Sequence, residues 1–377
     1  MKIGIITQPL LNNYGGVLQN YALQRVLIKA GHSPITLDQP LYKPYITFSY
    51  VKKEVRNIVH NLIYRKNAKL SFYTYKKAKS VESDYFKYFS DKYIVRTEKM
   101  YGKKKFREAA IKLNLEAIVV GSDQVWRPLY NSRLFTCFLD FTLGLQIKRI
   151  SYAASLGIDK WELSNNETTK AKHLLSLFDF LSVREKSAVS LLKSHLGITP
   201  SLVLDPTFLL ERSDYEKIVY QENEKESEGD LFFYILDPSA YKSQIVRDFE
   251  VKYGFRAFTV MPSHTISTYK PLYSDAIEYP AVTKWLRAFM DAKYIICDSF
   301  HGAVFSIIFN KPFFVLLNGM RGNTRFDTLL ENFGLEDRII TSLEDIQKCK
   351  VIDWNLINKR VEEKRMDSLR LLLKSLE

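Results

Sequence analysis

The chain has 377 residues, of which 46% are apolar and 14% aromatic, and its formal net charge is +13. A chain of this length exceeds the size at which a single core stops growing, so we expect two globular domains. The apolar content argues against extensive disorder, and no uninterrupted run of about 18 apolar residues predicts a membrane-spanning helix.

The start of the chain and its cysteines both indicate a reducing compartment. The opening residues MKIGIITQPLL form a short apolar run that leads into a turn, which predicts a first strand and not a signal peptide. Cys137, Cys297 and Cys349 are widely spaced and odd in number, which argues against a disulfide framework or a metal site. We therefore expect a cytoplasmic protein that needs neither metal nor cofactor.

The first half is predicted to alternate strands with helices. Strand KIGIIT, the turn NNYGG and a helix that ends at Gly31 are followed by the strand SPITLDQ. Further apolar strands are predicted at LEAIVVGS, KRISYAAS and FLSVRE. Crossovers of this kind favour a parallel sheet covered by helices.

Most of the positive charge lies in one segment of the first half. Residues 51–107 contain 17 Lys/Arg against 5 Asp/Glu, interleaved with aromatic residues. One interpretation is a helical insertion whose charged face is solvated and whose aromatic residues pack inward. The other is a basic, aromatic surface for anionic lipid or nucleic acid, of which we favour an anionic membrane because its surface attracts Lys and Arg. No nucleic acid partner is expected.

The second half repeats the architecture without repeating the sequence. Strand LFFYIL, helix YKSQIVRDFEVKYG and strand RAFTVM are followed by helix TKWLRAFMDA, strand YIICDS, helix HGAVFSIIFN and strand PFFVLL. We expect an α/β protein with two Rossmann-like domains that face a cleft. The predicted domains are residues 1–200, with the basic helical insertion at about 43–107, and residues 201–377. The amphipathic helix near 355–376 is expected to pack back on either half.

Parallel sheets bind ligands beyond the carboxyl ends of their strands, so the residues there are the candidate site residues. After the first strand, a glycine turn offers backbone N–H groups to a phosphate or carboxylate, although any strand-to-helix turn can need glycine. After LEAIVV, Asp123 is either a base for a substrate hydroxyl or the cap of a following helix. The candidates in these two turns are Asn13, Tyr14, Gly15, Gly16, Ser122, Asp123 and Gln124.

Two further segments supply arginine. Arg184 follows the strand FLSV, where a guanidinium binds a carboxylate or phosphate in two-pronged fashion, or forms an ion pair with Glu185 or another acid. The segment RGNTRF supplies Arg321, Asn323 and Arg325, which either hold an anion beside the cleft or belong to a polar loop.

His301 lies in the stretch ICDSFHGAVFS, at a strand-to-helix turn between Ser299 and Gly302. Imidazole acts as an acid or a base near neutral pH, and at a helix N-terminus it also donates to an anion. Because the six histidines show no metal-ligand spacing, we interpret His301 as a chemical or anion-binding residue.

Seven segments in order, among them NYGGVLQNYALQ, VVGSDQVW, LSVREKSA, LVLDPTFLL and ICDSFHGAVFSIIFNKPF, resemble the polysaccharide pyruvyl transferase family over about residues 1–340. The resemblance implies a glycosyltransferase-B-like arrangement of the two domains. It also implies transfer of an enolpyruvyl group from phosphoenolpyruvate to a sugar, with release of phosphate and formation of a pyruvate ketal.

The family's strand-to-helix histidine matches His301, and the arginine of its SVR element matches Arg184. Many members have arginine two places before the histidine, where this chain has Ser299. Arg325, Arg321 or Arg287 would then have to replace that anion contact.

If the protein carries out the pyruvyl transfer that the resemblance implies, His301 is the candidate acid or phosphate contact and Asp123 is the candidate base. The acceptor is expected to be a sugar of a cell-surface polysaccharide precursor, either free or lipid-linked. A lipid-linked acceptor would place the protein at the inner face of the membrane. Two alternatives remain open: a glycosyltransferase that uses a nucleotide sugar, since fold does not fix function, and a non-catalytic sugar-binding homologue.

Overall fold

The computed structural model describes residues 1–39, 82–131, 133–262, 278–317 and 324–377. The candidate residues Arg321 and Asn323 and most of the basic segment lie outside these ranges.

The described residues form two wholly parallel sheets. The first sheet has six strands in the order β2-β1-β3-β4-β5-β6. These strands are β1 (Lys2–Ile6), β2 (Ser33–Thr36), β3 (Ala117–Val120), β4 (Lys148–Ala154), β5 (Phe180–Val183) and β6 (Ser201–Leu202). The expected parallel sheet of the first half is confirmed.

The second sheet has five strands in the order β11-β10-β9-β7-β8. They are β7 (Leu231–Tyr234), β8 (Ala257–Phe258), β9 (Tyr294–Cys297), β10 (Phe313–Leu316) and β11 (Ile339–Ile340). β8 is shorter than the predicted strand RAFTVM. The division of the chain at residue 200 stays a prediction, and β6 pairs with β5 just beyond it.

The crossovers are helical, as the strand-helix alternation predicts. The helices of the first half are α1 (Tyr14–Lys29), α2 (Asp84–Tyr93), α3 (Lys103–Lys112), α4 (Asn165–Leu175), α5 (Lys186–Leu196) and α6 (Arg212–Gln221). Those that follow are α7 (Ala240–Tyr253), α8 (Val282–Asp291), α9 (Phe300–Ile308), α10 (Thr324–Phe333), α11 (Leu343–Lys348) and α12 (Trp354–Leu376).

Two helices are buried on almost every side. All nine residues of α9 are buried, and α1 is buried continuously from Tyr14 to Gln24. A helix that is apolar all round belongs in a core. Both helices belong to one hydrophobic cluster that contains residues of both sheets, so the two halves share a packed interface.

Helix α12 packs back on the first half. The backbone N–H of Leu204 donates to Ser368 Oγ at 3.0 Å, and Arg365 Nε donates to the carbonyl of Phe208 at 2.7 Å. Ile357, Val361, Leu372 and Leu376 form the buried face of this helix, whereas Leu356 is 45% exposed. The last helix thus covers the segment that follows β6.

The described part of the basic segment is paired with acids. Lys87 pairs with Asp91, Lys92 with Glu222, Lys103 with Asp140, and Lys104 and Lys105 with Glu108. The aromatic residues Phe86 and Phe89 pack in the core, while Tyr85, Tyr88 and Tyr101 are exposed. Contact with an anionic membrane stays a prediction. No helix in the described ranges combines the length and apolarity that a membrane crossing requires.

Candidate active site

The order of the strands brings the candidate turns together in pairs. In each sheet, the strand order reverses between two neighbouring strands, β1 and β3 in the first and β7 and β9 in the second. Ligands of parallel sheets bind beyond the carboxyl ends of strands at such a reversal. The turns that carry Asn13 and Asp123 therefore meet at the first reversal, and the turn before His301 lies at the second.

The N-termini of α1 and α9 meet between the two halves. A methyl group at Gly15 would lie 2.0 Å from His301 Nδ1 and 2.2 Å from His301 Cγ. Gly15 is therefore needed for the close approach of the imidazole, which is a different role from the predicted backbone contact with a ligand. His301 is buried with 7% exposure.

The glycine turn begins the helix earlier than the sequence predicts. The expected turn NNYGG contains the first three residues of α1, because Asn13 caps the helix and its Oδ1 accepts from the N–H of Gly16 at 3.1 Å. Asn, Asp and Ser are favoured at this position because they satisfy a free N–H group. The second side-chain contact of Asn13 is a hydrogen bond from its Nδ2 to Asp123 Oδ2, at 3.3 Å.

Asp123 is held in an unusual backbone conformation. Its φ is +80°, a region that L-residues rarely adopt and that Asp tolerates better than most. Its carboxylate accepts from the N–H of Gln124 at 2.8 Å and from Asn13. Residues 124–131 contain no α-helix, so the alternative that Asp123 caps a following helix is wrong. The carboxylate is oriented by two donors at the first reversal.

Ser122 and Arg184 converge on a residue that the sequence analysis did not select, Asp205. Arg184 Nη1 donates to Asp205 Oδ2 at 2.6 Å and to Ser122 Oγ at 2.9 Å. Ser122 Oγ in turn donates to Asp205 Oδ2 at 2.7 Å. The side chains of Arg184 and Asp205 are 1% and 0% exposed. Of the two alternatives for Arg184, the ion pair with an acid is present, and its partner is Asp205.

The rest of the Arg184 guanidinium has no hydrogen bond within the described residues. Its Nε and Nη2 atoms are buried and unpartnered there. Glu185 Oε2 lies 3.7 Å from Nε, and Asp123 Oδ1 lies 3.9 Å from Nη2. Both are ion-pair distances but are too long for hydrogen bonds. The guanidinium also lies over the ring of Phe300, 4.4 Å from its centroid. Two donor atoms therefore remain to be satisfied beside the N-terminus of α9.

His301 approaches the same carboxylate from the second half. Its Nε2 lies 3.5 Å from Asp205 Oδ2 and makes no hydrogen bond in the described chain. Burial raises the pKa of Asp205, but the charges of His301 and Arg184 outweigh it and hold the pKa well below its ordinary value. Asp205 is therefore an anion at neutral pH, shared by both halves.

Arg325 is the second cation beside Phe300. It is 7% exposed, and its guanidinium lies 5.9 Å from the centroid of the Phe300 ring. Arg287, in contrast, forms hydrogen bonds with Asp291 at 2.8 and 2.9 Å and an ion pair with Glu226 at 3.2 Å. Of the two arginines in the described ranges that were considered as replacements at Ser299, Arg325 lies beside Phe300, the neighbour of His301 in the chain.

Ser299 and Asp298 shape the turn before His301. Ser299 caps α9 without a side-chain hydrogen bond to the helix and is 7% exposed. Asp298 accepts from the N–H groups of Leu236 and Asp237 at 2.6 and 3.1 Å and from Lys242 Nζ at 2.6 Å. Asp298 thus joins the turns after β7 and β9 and supports the position of the imidazole.

Tyr14 and Gln124 have contacts within the protein. The Tyr14 hydroxyl donates to the carbonyls of Pro280 at 2.9 Å and Val260 at 3.2 Å, and its ring stacks on Trp285 at 5.3 Å. Gln124 Oε1 accepts from Arg127 Nη1 at 3.1 Å. Both residues remain predictions as substrate contacts.

Asp205 was missed by the sequence analysis, and Glu185 was considered there only as an ion-pair partner of Arg184. Glu185 Oε1 accepts from Ser155 Oγ and from the N–H groups of Leu156 and Gly157, at 2.8 to 3.0 Å, and so fixes the loop after β4. The signal for Asp205 was its place in LVLDPTFLL, where an acid follows an apolar run that begins in β6 (Ser201–Leu202) at the edge of the first sheet. No group of three or more metal-ligating side chains occurs in the part of the chain that the structure describes.

The two parallel sheets and the site between them define a glycosyltransferase-B-like α/β protein. The profile of the polysaccharide pyruvyl transferase family matches residues 13–319, and the chain belongs to this family. The family is one of transferases that act on polysaccharides, which agrees with the resemblance found in the sequence.

Solved structures with the same architecture include two sugar-nucleotide epimerases. The UDP-GlcNAc 2-epimerase of Neisseria meningitidis, bound to UDP-GlcNAc, is 10% identical with a TM-score of 0.53, over 100% of this chain and 99% of its own. The UDP-N-acetylglucosamine 2-epimerase of Rickettsia bellii is 13% identical with a TM-score of 0.51, and the match covers 99% of this chain and 96% of the epimerase. At such identities the similarity shows the fold alone. No curated protein matches the chain.

Proposed function

We propose that this protein transfers the pyruvyl group of phosphoenolpyruvate to a sugar of a cell-surface polysaccharide precursor. The product is a pyruvate ketal, and inorganic phosphate is released. The observation that carries the proposal is the buried guanidinium of Arg184, which lies over the ring of Phe300 and has two donor atoms without a hydrogen-bond partner among the described residues. Membership of the polysaccharide pyruvyl transferase family supports it.

The donor requires a site for two anionic groups. Phosphoenolpyruvate carries a carboxylate and a phosphate, and a guanidinium binds either through two parallel N–H donors. Arg184 Nη1 is held by Asp205, so Nε and Nη2 remain as the pair directed to the donor. Arg325, on the other side of Phe300, is the candidate contact for the second anionic group. It takes the place of the arginine that many family members have at the position of Ser299.

Proton transfer assigns roles to the other two residues. In the proposed reaction, the His301 imidazolium protonates the methylene carbon, and a sugar hydroxyl forms a bond to the adjacent carbon while Asp123 accepts its proton. The second hydroxyl then attacks that carbon and the bond to the phosphate oxygen breaks. One hydroxyl proton restores the imidazolium and the other leaves with phosphate, so the protons balance. General acid-base groups of this kind contribute about 10²–10⁴-fold in rate.

Purified protein incubated with phosphoenolpyruvate and a panel of lipid-linked and nucleotide-linked sugars tests this proposal. Phosphate release that depends on the acceptor, with an acceptor mass gain equal to one pyruvate ketal, is the expected result. His301→Ala should abolish turnover with an unchanged circular dichroism spectrum. Phosphate release by the variant within a few-fold of the original protein would remove His301 from the mechanism.

The same panel separates the two alternatives. A nucleotide-sugar glycosyltransferase would transfer a sugar and release a nucleotide, with no response to phosphoenolpyruvate. A non-catalytic sugar-binding protein would bind an acceptor in calorimetry without releasing phosphate or nucleotide.

A further inference from the structure

Phe300 contacts three residues of the candidate active site. It is the first residue of α9, and its side chain is buried. The guanidinium carbon of Arg184 lies 4.4 Å from the centroid of its ring, and that of Arg325 lies 5.9 Å from the same point. The imidazole of His301 packs edge to face against the ring, with the ring centroids 5.2 Å apart and the planes at 84°. One apolar side chain therefore touches the two arginines and the histidine of the site.

The ring allows two guanidinium groups to be buried side by side. Arg184 follows β5 and Arg325 belongs to α10, and both side chains are buried. A buried cation is costly unless its charge is compensated. The face of an aromatic ring is negative, so it attracts a guanidinium, and the attraction is larger where water is excluded. Phe300 thus compensates part of the charge of both arginines.

The ring also keeps two donor atoms of Arg184 away from nearby acids. Nε lies 3.7 Å from Glu185 Oε2, and Nη2 lies 3.9 Å from Asp123 Oδ1, so a small rotation of the guanidinium would turn these ion pairs into hydrogen bonds. Guanidinium groups stack on aromatic faces, and packing on Phe300 opposes that rotation. If the ring were absent, both donors would be satisfied within the protein and lost to a ligand.

We infer that Phe300 is a positioning residue, which holds Arg184 and Arg325 as a paired site for a small ligand with two anionic groups. The inference rests on the proposed function, in which phosphoenolpyruvate presents a carboxylate and a phosphate. Because the ring fixes both guanidinium groups before the ligand arrives, little ordering remains to oppose binding. A ligand that reaches both arginines should bind more tightly than one with a single anionic group, since its second contact is intramolecular.

The substitution Phe300→Leu tests this role, because it removes the ring and keeps an apolar side chain. Calorimetry measures the binding of phosphoenolpyruvate and, separately, of inorganic phosphate to the original protein and to the variant. We expect the Kd for phosphoenolpyruvate to rise about tenfold or more, the scale of a buried contact between a cation and a ring. The Kd for phosphate should change less, because a single anionic group can still bind at Arg325.

Phe309→Leu is the matched control. Phe309 follows the other end of the same helix, is fully buried, and has the guanidinium of Arg212 5.7 Å from its ring centroid. The control makes the same change at a ring outside the site, so it should lower stability in urea unfolding without raising the Kd for phosphoenolpyruvate. Phe300→Tyr keeps the ring and should return that Kd to within a few-fold of the original value.

A crystal structure of the Phe300→Leu variant tests the inference without any ligand. Nε or Nη2 of Arg184 should approach Glu185 Oε2 or Asp123 Oδ1 to hydrogen-bond distance, about 3.2 Å or less. If Phe300→Leu does not fold, Phe300→Met replaces it, because an unbranched side chain fills an irregular space in a core and also lacks a ring. The same changes in affinity and in the contacts of Arg184 are expected of it.

The outcomes separate this inference from the proposed function. Unchanged affinity for phosphoenolpyruvate in the Phe300→Leu or Phe300→Met variant, or an equal loss in Phe309→Leu, would overturn the role of Phe300. An affinity of Phe300→Tyr as low as that of Phe300→Leu, or unchanged contacts of Arg184 in the crystal, would overturn it as well. If Arg184 closes on its acids in the variant but the original protein does not bind phosphoenolpyruvate, the role of Phe300 is supported and the proposed function is contradicted instead.

Discussion

The imidazole of His301 occupies the space that a side chain at Gly15 would need, and a methyl group there would lie 2.0 Å from His301 Nδ1. The two residues belong to different halves of the protein. Gly15→Ala should therefore displace the imidazole and reduce turnover by at least about tenfold, the scale on which small misplacements of reacting groups act.

Gly121→Ala is the control for this prediction. A methyl group at Gly121 meets its first neighbours at 3.5 and 3.6 Å, which is ordinary contact, so turnover should change little. Both variants are compared by phosphate release and by urea unfolding. Equal turnover in the Gly15 variant and the original protein would show that the contact with His301 has no catalytic consequence.

Arg184→Lys should weaken donor binding, because an ammonium group cannot reproduce the guanidinium's bond to Asp205 and its two further donors at once. Charge-assisted hydrogen bonds contribute about 1.5–3 kcal/mol, so we expect the Kd for phosphoenolpyruvate to rise about tenfold or more in calorimetry. Arg212 forms a surface ion pair with Glu216, and the control substitution Arg212→Lys should leave the Kd for phosphoenolpyruvate unchanged. Equal affinity in the Arg184 variant would contradict the anion site.

Tyr14→Phe should destabilise the protein without changing donor affinity. The substitution keeps the stack on Trp285 and removes the hydroxyl bonded to the carbonyls of Val260 and Pro280. Leaving buried acceptors unsatisfied costs about 1–3 kcal/mol, measurable by urea unfolding. Tyr241→Phe, at an exposed tyrosine, should cost less. A raised KM for the donor with unchanged stability would instead make Tyr14 a substrate contact.

Asp38 should make the protein more stable at mildly acidic pH than at neutral pH. Burial raises the pKa of its carboxyl to about 6 in spite of the charge of Arg96. A carboxyl whose pKa is higher in the folded state stabilises that state below its unfolded pKa of about 4, and this stabilisation is lost as the pH rises through 6. The free energy of unfolding should fall by about 3 kcal/mol across this range.

Asp38→Asn should remove that slope, as measured by urea unfolding at pH 4.5 and pH 7.5. Asp205 does not interfere, because its pKa is shifted downward and its stabilisation is lost only as the pH falls below about 4. If the free energy of unfolding depends on pH equally in the original protein and in the Asp38→Asn variant, Asp38 does not contribute to that dependence.

The sequence predicts the fold well because periodicity and turn residues are local. Apolar strands such as AIVV at β3 are buried throughout, as parallel strands should be. The rule that ligands bind at strand ends selected His301, Arg184 and Ser122, which the structure places in one connected group.

What the sequence could not provide was the partner of each group. Asp205 follows an edge strand of only two residues, and its contact with His301 joins positions 96 residues apart in different halves. The close approach of Gly15 to His301 likewise depends on how the halves pack together. Pairings between domains leave no periodic pattern in the chain, so residue type alone could not assign them.

Membrane association of the basic segment can be tested with vesicles. Lys103, Lys104 and Lys105 start helix α3 and are exposed, although each lies near an acid. Charge reversal at these three lysines should reduce co-sedimentation with anionic vesicles, and binding by the original protein should fade in high salt because charges are then screened. Equal sedimentation with anionic and neutral vesicles would contradict membrane association and favour the interpretation of the basic segment as a solvated insertion.

Helix α12 has a consequence for the order in which the protein is made. Ser368 and Arg365 hold the segment from Leu204 to Leu210, which carries Asp205. During synthesis the N-terminal part of a chain can fold before the rest has emerged. The six strands of the first sheet leave the ribosome well before residue 368, yet the carboxylate that joins the two halves lacks this support until that residue follows. The contacts that support Asp205 from behind can therefore form only after translation has passed residue 368.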